Sequence, residues 1–290
     1  MPKALAVAFL LSACTVATAR GFFSPNSDPD STWWYAAEVA SGFQRDSTEA
    51  ARLQHGQRLD SLLATVLNES EQPLVAFSQR VPTGVLRTVS TDEKLVVYTF
   101  AIPLDQGGYH YKGWVHARLG KKTTLTALTD SAPLDPFSTS SDAAWSGGLV
   151  YKVLAYPYRR TTRYVGLHFR PHRTQAQVKW IEPWILGRPK AHPTGGLDPL
   201  PLYFGAGIFD VKEFAGLRFP QPPKRLLLSF APEVSASIRL APNGKDLLVD
   251  EVAPLRHATA GDFRHYGPTL AVDRLVFDHG KWRVQPVENP

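Results

Sequence analysis

The residues best placed to do chemistry are a handful of histidines, two carboxylate pairs and a run of arginines. His168 and His172 have the i, i+4 spacing that would set two imidazoles on one helix face as zinc ligands. Pro171 lies between them and the surroundings read as strand, so no metal is expected there. His110 and His116 fall on one face of a strand with Lys112 and Trp114 between them. With no carboxylate at a fixed spacing, they read as solvent-facing histidines. Asp210 with Glu213, or Asp246 with Asp250, would suit the acid and base of glycoside cleavage if held about 5 to 10 Å apart in a cleft. Their plainer reading is turn capping and solvated strand ends. The chain has no Gly-x-Ser-x-Gly nucleophile elbow and no Gly-rich phosphate loop; Gly205-Ala206-Gly207 lacks the third glycine and the helix that would follow. No cofactor is expected, and catalytic residues are not assigned.

The compositional anomaly is the stretch from Tyr151 to Lys190. It holds nine basic residues against the single acid Glu182, in a chain whose whole net charge is +6. Aromatic residues interleave it: Tyr151, Tyr156, Tyr158, Tyr164, Phe169, Trp180 and Trp184. Guanidinium groups hold phosphate, sulfate or uronate by paired hydrogen bonds while rings stack on sugars. Arg159, Arg160, Arg163, Arg170 and Arg173 are therefore the candidate anion-binding set, expected to converge on one end of a sheet. The competing account is a two-faced sheet with its aromatics in the core and its arginines in water.

These side chains need a scaffold, and the sequence indicates where it works. Met1-Pro2-Lys3, the apolar run Ala4 to Ala13 and the small residues that follow have the three-part pattern of a secretory signal over residues 1–19. Two cleavage readings stand open. Ala17-Thr18-Ala19 suits a general signal peptidase, giving a mature chain from Arg20, whereas Leu11-Ser12-Ala13-Cys14 resembles the bacterial lipobox, with Cys14 as the lipidated residue. Cys14 is the sole cysteine, so the body has neither a disulfide nor a thiolate metal site. Residues 20–45 read as a Pro/Ser/Asp-rich tether and approach.

From residue 46 to 290 the chain reads as a single β-rich domain. Its 15 Phe, 10 Tyr, 7 Trp, 24 Pro and 21 Gly suit many short strands joined by turns. Asp46 with Glu49 reads as a capping box opening an amphipathic helix that ends near Asn68, with Leu59, Leu62, Leu63, Val66 and Leu67 on one face. Strands follow at Glu93 to Ala101, Tyr109 to Arg118 and Thr123 to Thr129 as a meander, then Leu149 to Tyr156 and Arg163 to Phe169 as a hairpin around Arg159-Arg160-Thr161. Further strands are expected at Ala176 to Ile181, Arg225 to Phe230, Ser235 to Leu240, Leu247 to Val252, Leu270 to Phe277 and Lys281 to Val287. Gly187 to Pro201, with four prolines and three glycines, is the candidate internal boundary, read as a long surface loop. The fold class is thus mainly β, with antiparallel sheets, hairpins and meanders and one N-terminal amphipathic helix.

Several stretches carry a wider likeness: Ser90-Thr91-Asp92-Glu93-Lys94-Leu95, Tyr98-Thr99-Phe100, Trp145-Ser146-Gly147-Gly148-Leu149-Val150-Tyr151-Lys152, Leu202-Tyr203-Phe204-Gly205, Tyr266-Gly267-Pro268 and Gly280-Lys281-Trp282. Over roughly residues 40 to 288 the chain resembles a family of uncharacterised exported proteins of Bacteroidetes. It departs at Val165-Gly166-Leu167-His168-Phe169, where the family pattern has a Leu-Gly-Trp strand and an acidic or Asn-rich turn. The resemblance implies fold and compartment and no activity.

The expectation is a non-catalytic envelope protein, periplasmic or an outer-membrane lipoprotein, that binds or scaffolds an anionic glycan or lipid. The alternative is an envelope hydrolase using a carboxylate pair on glycan or peptidoglycan. Nucleic acid is not an expected partner, and the membrane is reached only through a lipid on Cys14. On the lipobox reading, Cys14→Ser is expected to release the protein from the membrane fraction or block its processing. An intact mass corresponding to an unlipidated chain starting at Arg20 would remove the anchor.

Overall fold

The computed structural model describes residues 39–42, 45–70, 74, 81–192, 196–256 and 259–286. Cys14, the rest of the export segment and the tether as far as residue 38 lie outside them, as does Val287 of the expected last strand.

Helix α1 spans Glu49–Glu69. Its N-cap is Thr48 rather than Asp46: Thr48 is extended and its hydroxyl accepts the Ala51 N–H at 3.3 Å, the reach a cap needs to the third helical residue. The Asp46 carboxylate instead meets the His55 ring, and Glu49 accepts the Asp105 N–H at 2.6 Å, so the expected capping box does not form. Leu59, Leu62, Leu63 and Leu67 are buried along one stripe. Such side chains contribute roughly 1.5–3 kcal/mol each when fully removed from water.

That stripe lies on a four-stranded antiparallel meander of β1 (Val85–Val89), β2 (Leu95–Pro103), β3 (Tyr109–Leu119) and β4 (Lys122–Thr129), ordered β1-β2-β3-β4. Period-two geometry divides β2 cleanly. Val96, Tyr98, Phe100 and Ile102 pack on α1, while Leu95 and Val97 enter a second core on the far side. A strand covered on both faces has no polar face to show, which is why Leu95-Val96-Val97-Tyr98 reads as a continuous apolar run.

The second sheet contains β5 (Ser140–Ser141), β6 (Leu149–Tyr158), β7 (Thr161–Arg170), β8 (Gln177–Leu186) and β9 (Leu202–Phe204), in the order β5-β9-β8-β7-β6. A small ribbon of β10 (Glu213–Phe214) and β11 (Leu217–Arg218) follows, and then β12 (Leu226–Phe230), which pairs with the first half of β8 beside β9. Its inner face, with Trp145, Val150, Val153, Tyr164, Trp184 and Phe204, packs against the first sheet. A bulge between Val150 and Lys152 changes the parity of β6, so Val150 and Val153 share that inner core while Leu154 and Tyr156 face outward. The outer face is covered by a third sheet of β13 (Ile238–Leu240), β14 (Leu247–Pro254), β15 (Tyr266–Asp278) and β16 (Lys281–Pro286). Helix, sheet, sheet and sheet thus stack around three cores.

Asp198 to Leu200 of the proline-rich stretch 187–201 lie along the first sheet. Leu125 N–H donates to Asp198 O at 3.1 Å, and Thr126 Oγ1 and the Leu200 backbone exchange hydrogen bonds at 2.8 Å. The strands on either side of it, β8 and β9, pair directly.

Gly56 on α1 faces Ile102, whose Cδ1 would lie 2.1 Å from a Cβ built there. Gly→Ala in a helix interior ordinarily stabilises by about 1 kcal/mol. Here overpacking against a fully buried Ile102 is expected to outweigh that gain, so Gly56→Ala should lower stability by roughly 1 kcal/mol or more in urea denaturation. A rise in stability would show that the contact between α1 and β2 yields freely.

Candidate functional site

Charge buried in the seam between the first two sheets organises the middle of the molecule. Glu182 on β8, His168 on β7 and Arg225 just before β12 are each fully buried. The Arg225 Nε–H donates to Glu182 Oε1, and His168 Nε2 stands 3.3 Å from Glu182 Oε2. The other guanidinium N–H groups donate to Asp135 O at 3.0 Å, Ser138 O at 2.8 Å and Ser140 Oγ at 2.5 Å. Burial raises the Glu182 carboxyl, and Arg225 opposes the rise. Burial, reinforced by Arg225 and Arg170, pushes the His168 imidazole well below its ordinary range, so the ring is neutral. Trp180 stacks on that ring with centroids 4.7 Å apart, and Trp184 stands at 5.9 Å. Gly166 makes room: a Cβ there would lie 2.5 Å from His168 Nε2 and 2.7 Å from Trp184 Nε1. With 0% exposure His168 and Glu182 touch no solvent, so they serve the fold, and only Trp184 of this group reaches a surface hollow.

That hollow, about 330 Å³, opens at the turn between β6 and β7. Thr161, Thr162 and Arg163 line it beside Pro183, Trp184, Ile185 and Ile208. Ile185 is half exposed and supplies an apolar wall. Arg159 takes a left-handed conformation in the turn (φ 56°), and its guanidinium lies 5.2 Å from the Tyr158 ring. Arg163 lies 4.6 Å from the same ring and donates to Gly280 O at 2.6 Å. Arg160 is exposed beside them. Three of the five candidate arginines therefore meet at one end of the sheet.

The other two do not. Arg170 closes β7 at its far end, seven residues from Arg163, and a strand rise of about 3.4 Å per residue puts more than 20 Å between them. Arg170 donates to Ser146 O and lies 5.5 Å from the Tyr111 ring, with Asp130 Oδ1 at 3.9 Å. Arg173 is exposed on the following loop. The expected convergence of all five on one end is thereby corrected, because Arg163 and Arg170 belong to opposite ends of one extended strand. The interleaved aromatics also divide: Tyr156, Tyr164, Trp180 and Trp184 are core, and only Tyr158 holds guanidinium groups beside the hollow.

Of the histidines, His172 sits near Arg170, with Nδ1 accepting backbone N–H groups of Thr174 at 3.2 Å and Gln175 at 2.9 Å. His168 and His172 are not a ligand pair, since one is core and the other surface. His110 is partly exposed, and its Nδ1 does meet a carboxylate, Asp130 Oδ2, at 3.7 Å. His116 is not solvent-facing: it is fully buried, because its strand face is the one that α1 covers. The carboxylate pairs are split among separate cations. Asp210 holds Arg283 at 3.1 Å, Glu213 holds Arg218 at 3.1 Å, Asp246 holds Arg274 at 2.5 Å and Asp250 holds Arg239 at 3.0 Å. None of the four lines the hollow. The sequence did not single out Asp130 or Arg225, whose partners Arg170 and Glu182 lie 40 and 43 residues away; the lone acid in a basic stretch was the available signal for Glu182.

Comparison of the chain with models of known protein families, with curated proteins and with solved structures finds no match.

Burial lowers the His116 imidazole to about 4 from 6.5, opposed by a hydrogen bond with the Ser70 backbone. Above pH 6.5 the ring is neutral folded and unfolded and contributes nothing to the pH dependence. Below that, the unfolded chain binds a proton that the folded chain refuses, so stability falls as pH falls, at about 1.4 kcal/mol per pH unit for one group. His116→Gln is expected to flatten the slope of unfolding free energy between pH 6.5 and 4 by up to that amount, His168 being common to both proteins. An unchanged slope would show that His116 titrates normally.

Proposed function

We propose that this chain is an exported, non-catalytic binding or scaffold protein of the cell envelope, periplasmic or held at the outer membrane by a lipid on Cys14. Its ligand is an anionic glycan or lipid headgroup, taken at the hairpin end of the second sheet. One observation carries the reading. No carboxylate among the described residues pairs with Arg159, Arg160 or Arg163, whereas Arg218, Arg239, Arg264, Arg274 and Arg283 each sit on one. Unneutralised guanidinium groups brought together repel one another, and a phosphate, sulfate or carboxylate beside them relieves that repulsion with paired hydrogen bonds.

The hollow next to them adds selectivity. Its volume lies at the small end of the range for ligand sites, and its walls pair an apolar face, Trp184 and Ile185, with the hydroxyls of Thr161 and Thr162. A sugar ring has the matching division, an apolar C–H face and a polar edge, and an acidic substituent would point to the arginines. The lining has no carboxylate and no histidine, which favours binding over the hydrolytic alternative. Exposed cations are screened within about 8 Å at physiological salt, so the interaction should be micromolar and salt-sensitive.

Replacing Arg159, Arg160 and Arg163 together by alanine is expected to abolish retention on immobilised heparin and on vesicles bearing lipid A. The pair Arg159→Ala with Arg160→Ala should do most of this with almost no change in melting temperature, since exposed arginines contribute only a few tenths of a kcal/mol. Retention that survives the triple change would leave the hairpin as a solvated face.

A further inference from the structure

A second concavity, about 550 Å³, lies at the opposite end of the second sheet and shares no lining residue with the hollow. It runs between the start of β3, the segment after β4 and the end of β7, and is lined by Tyr109, Asp130, Arg170 and His172 with Pro133 and Pro171. Its polar groups are held close together yet stop short of one another. Arg170 Nη2 stands 3.9 Å from Asp130 Oδ1 across the groove wall. That separation exceeds hydrogen-bond length, but an oxygen about 2.8 Å from each partner spans it.

We propose that this groove binds a neutral sugar ring through adjacent hydroxyls. One hydroxyl accepts from Arg170 and donates to Asp130 Oδ1, a pattern that needs a group able to donate and accept at once, and its neighbour meets the His172 ring on the same wall. Anions are disfavoured by the Asp130 carboxylate and cations by Arg170, so the charge balance selects an uncharged polyol. The partners are already fixed. Asp130 Oδ2 accepts the Tyr111 N–H at 2.9 Å, and Arg170 is held by Ser146 O, with 15% and 30% of the two side chains exposed. Little ordering entropy is then lost on binding. His172 adds a donor: because Nδ1 accepts two backbone N–H groups, Nε2 carries the ring N–H. Tyr109, half-buried at the rim, offers an aromatic surface to the C–H face of a sugar.

The site stands apart from the arginine cluster at the hairpin, and the test keeps the two separate. Maltose, cellobiose and N,N′-diacetylchitobiose are titrated into the mature chain, with binding followed by calorimetry and by amide resonances of Gly108, His110 and Asp130. At least one disaccharide is expected to bind with a Kd of about 1 mM or tighter. Tyr109→Ala should weaken it about three- to ten-fold without unfolding the protein, Asp130→Asn by at least as much, and Arg159→Ala with Arg160→Ala not at all. Heparin retention should be unaffected by Tyr109→Ala. Absence of binding by all three sugars at about 50 mM, or binding that Tyr109→Ala leaves unchanged, would overturn the proposal.

Discussion

The Arg225–Glu182 ion pair, closed off from water between two sheets, is the constraint to which the rest of the structure conforms. Taking both charges out of water costs several kcal/mol per ion, so the pair persists only because the remaining guanidinium donors are also satisfied. They are satisfied by the segment Asp135 to Ser140, which is thereby drawn against the sheet so that β5 can pair with β9. Arg225 immediately precedes β12, and Glu182 lies just past the point where β12 meets β8 at Leu226 and Ile181. One side chain thus ties together the loop before β5, the central strand β8 and the start of β12. Breaking such a pair from one side leaves a bare charge inside, a loss of about 3–5 kcal/mol on the scale of a whole domain's stability.

The neighbours of the pair follow from the same exclusion of water. The neutral His168 ring, its Nε2 3.3 Å from the carboxylate, is packed in place by Trp180 stacked on it. Gly166 is the consequence on the adjoining position of β7, since any side chain would occupy the space that His168 and Trp184 fill.

Because α1 and the second sheet cover the first sheet, and the first and third sheets cover the second, the faces of those two sheets are closed to binding. Chemistry is left to the strand ends, where turns and loops expose side chains. Both concavities lie there, one beside Arg163 near the start of β7 and one beside Arg170 at its end. Their chemistry differs for a physical reason. At the hairpin the arginines have no carboxylate among the described residues, whereas at the far end Asp130 balances Arg170.

The sequence by itself determined the local features: the mainly β class, the helix stripe through Leu59 to Leu67, three of the four meander strands and the later hairpins with ends within a few residues, and the basic character of the β6–β7 turn, while β1 was not foreseen. Each follows from periodicity, turn residues or local charge, which act over neighbouring positions. The helix start was missed by two residues because Asp46 and Thr48 both suit a cap and only the backbone course decides between them. Tertiary structure decided which groups are buried and which of them meet. Nothing near His116 in sequence says that α1 will cover its strand face, and nothing near Glu182 says that an arginine 43 residues on will neutralise it. Likewise the five arginines lie within fifteen positions, yet an extended strand carries Arg170 away from Arg163 and leaves it beside Asp130, just past the end of β4. Burial and long-range pairing depend on how layers stack, and that is settled by the free energy of the whole packed chain.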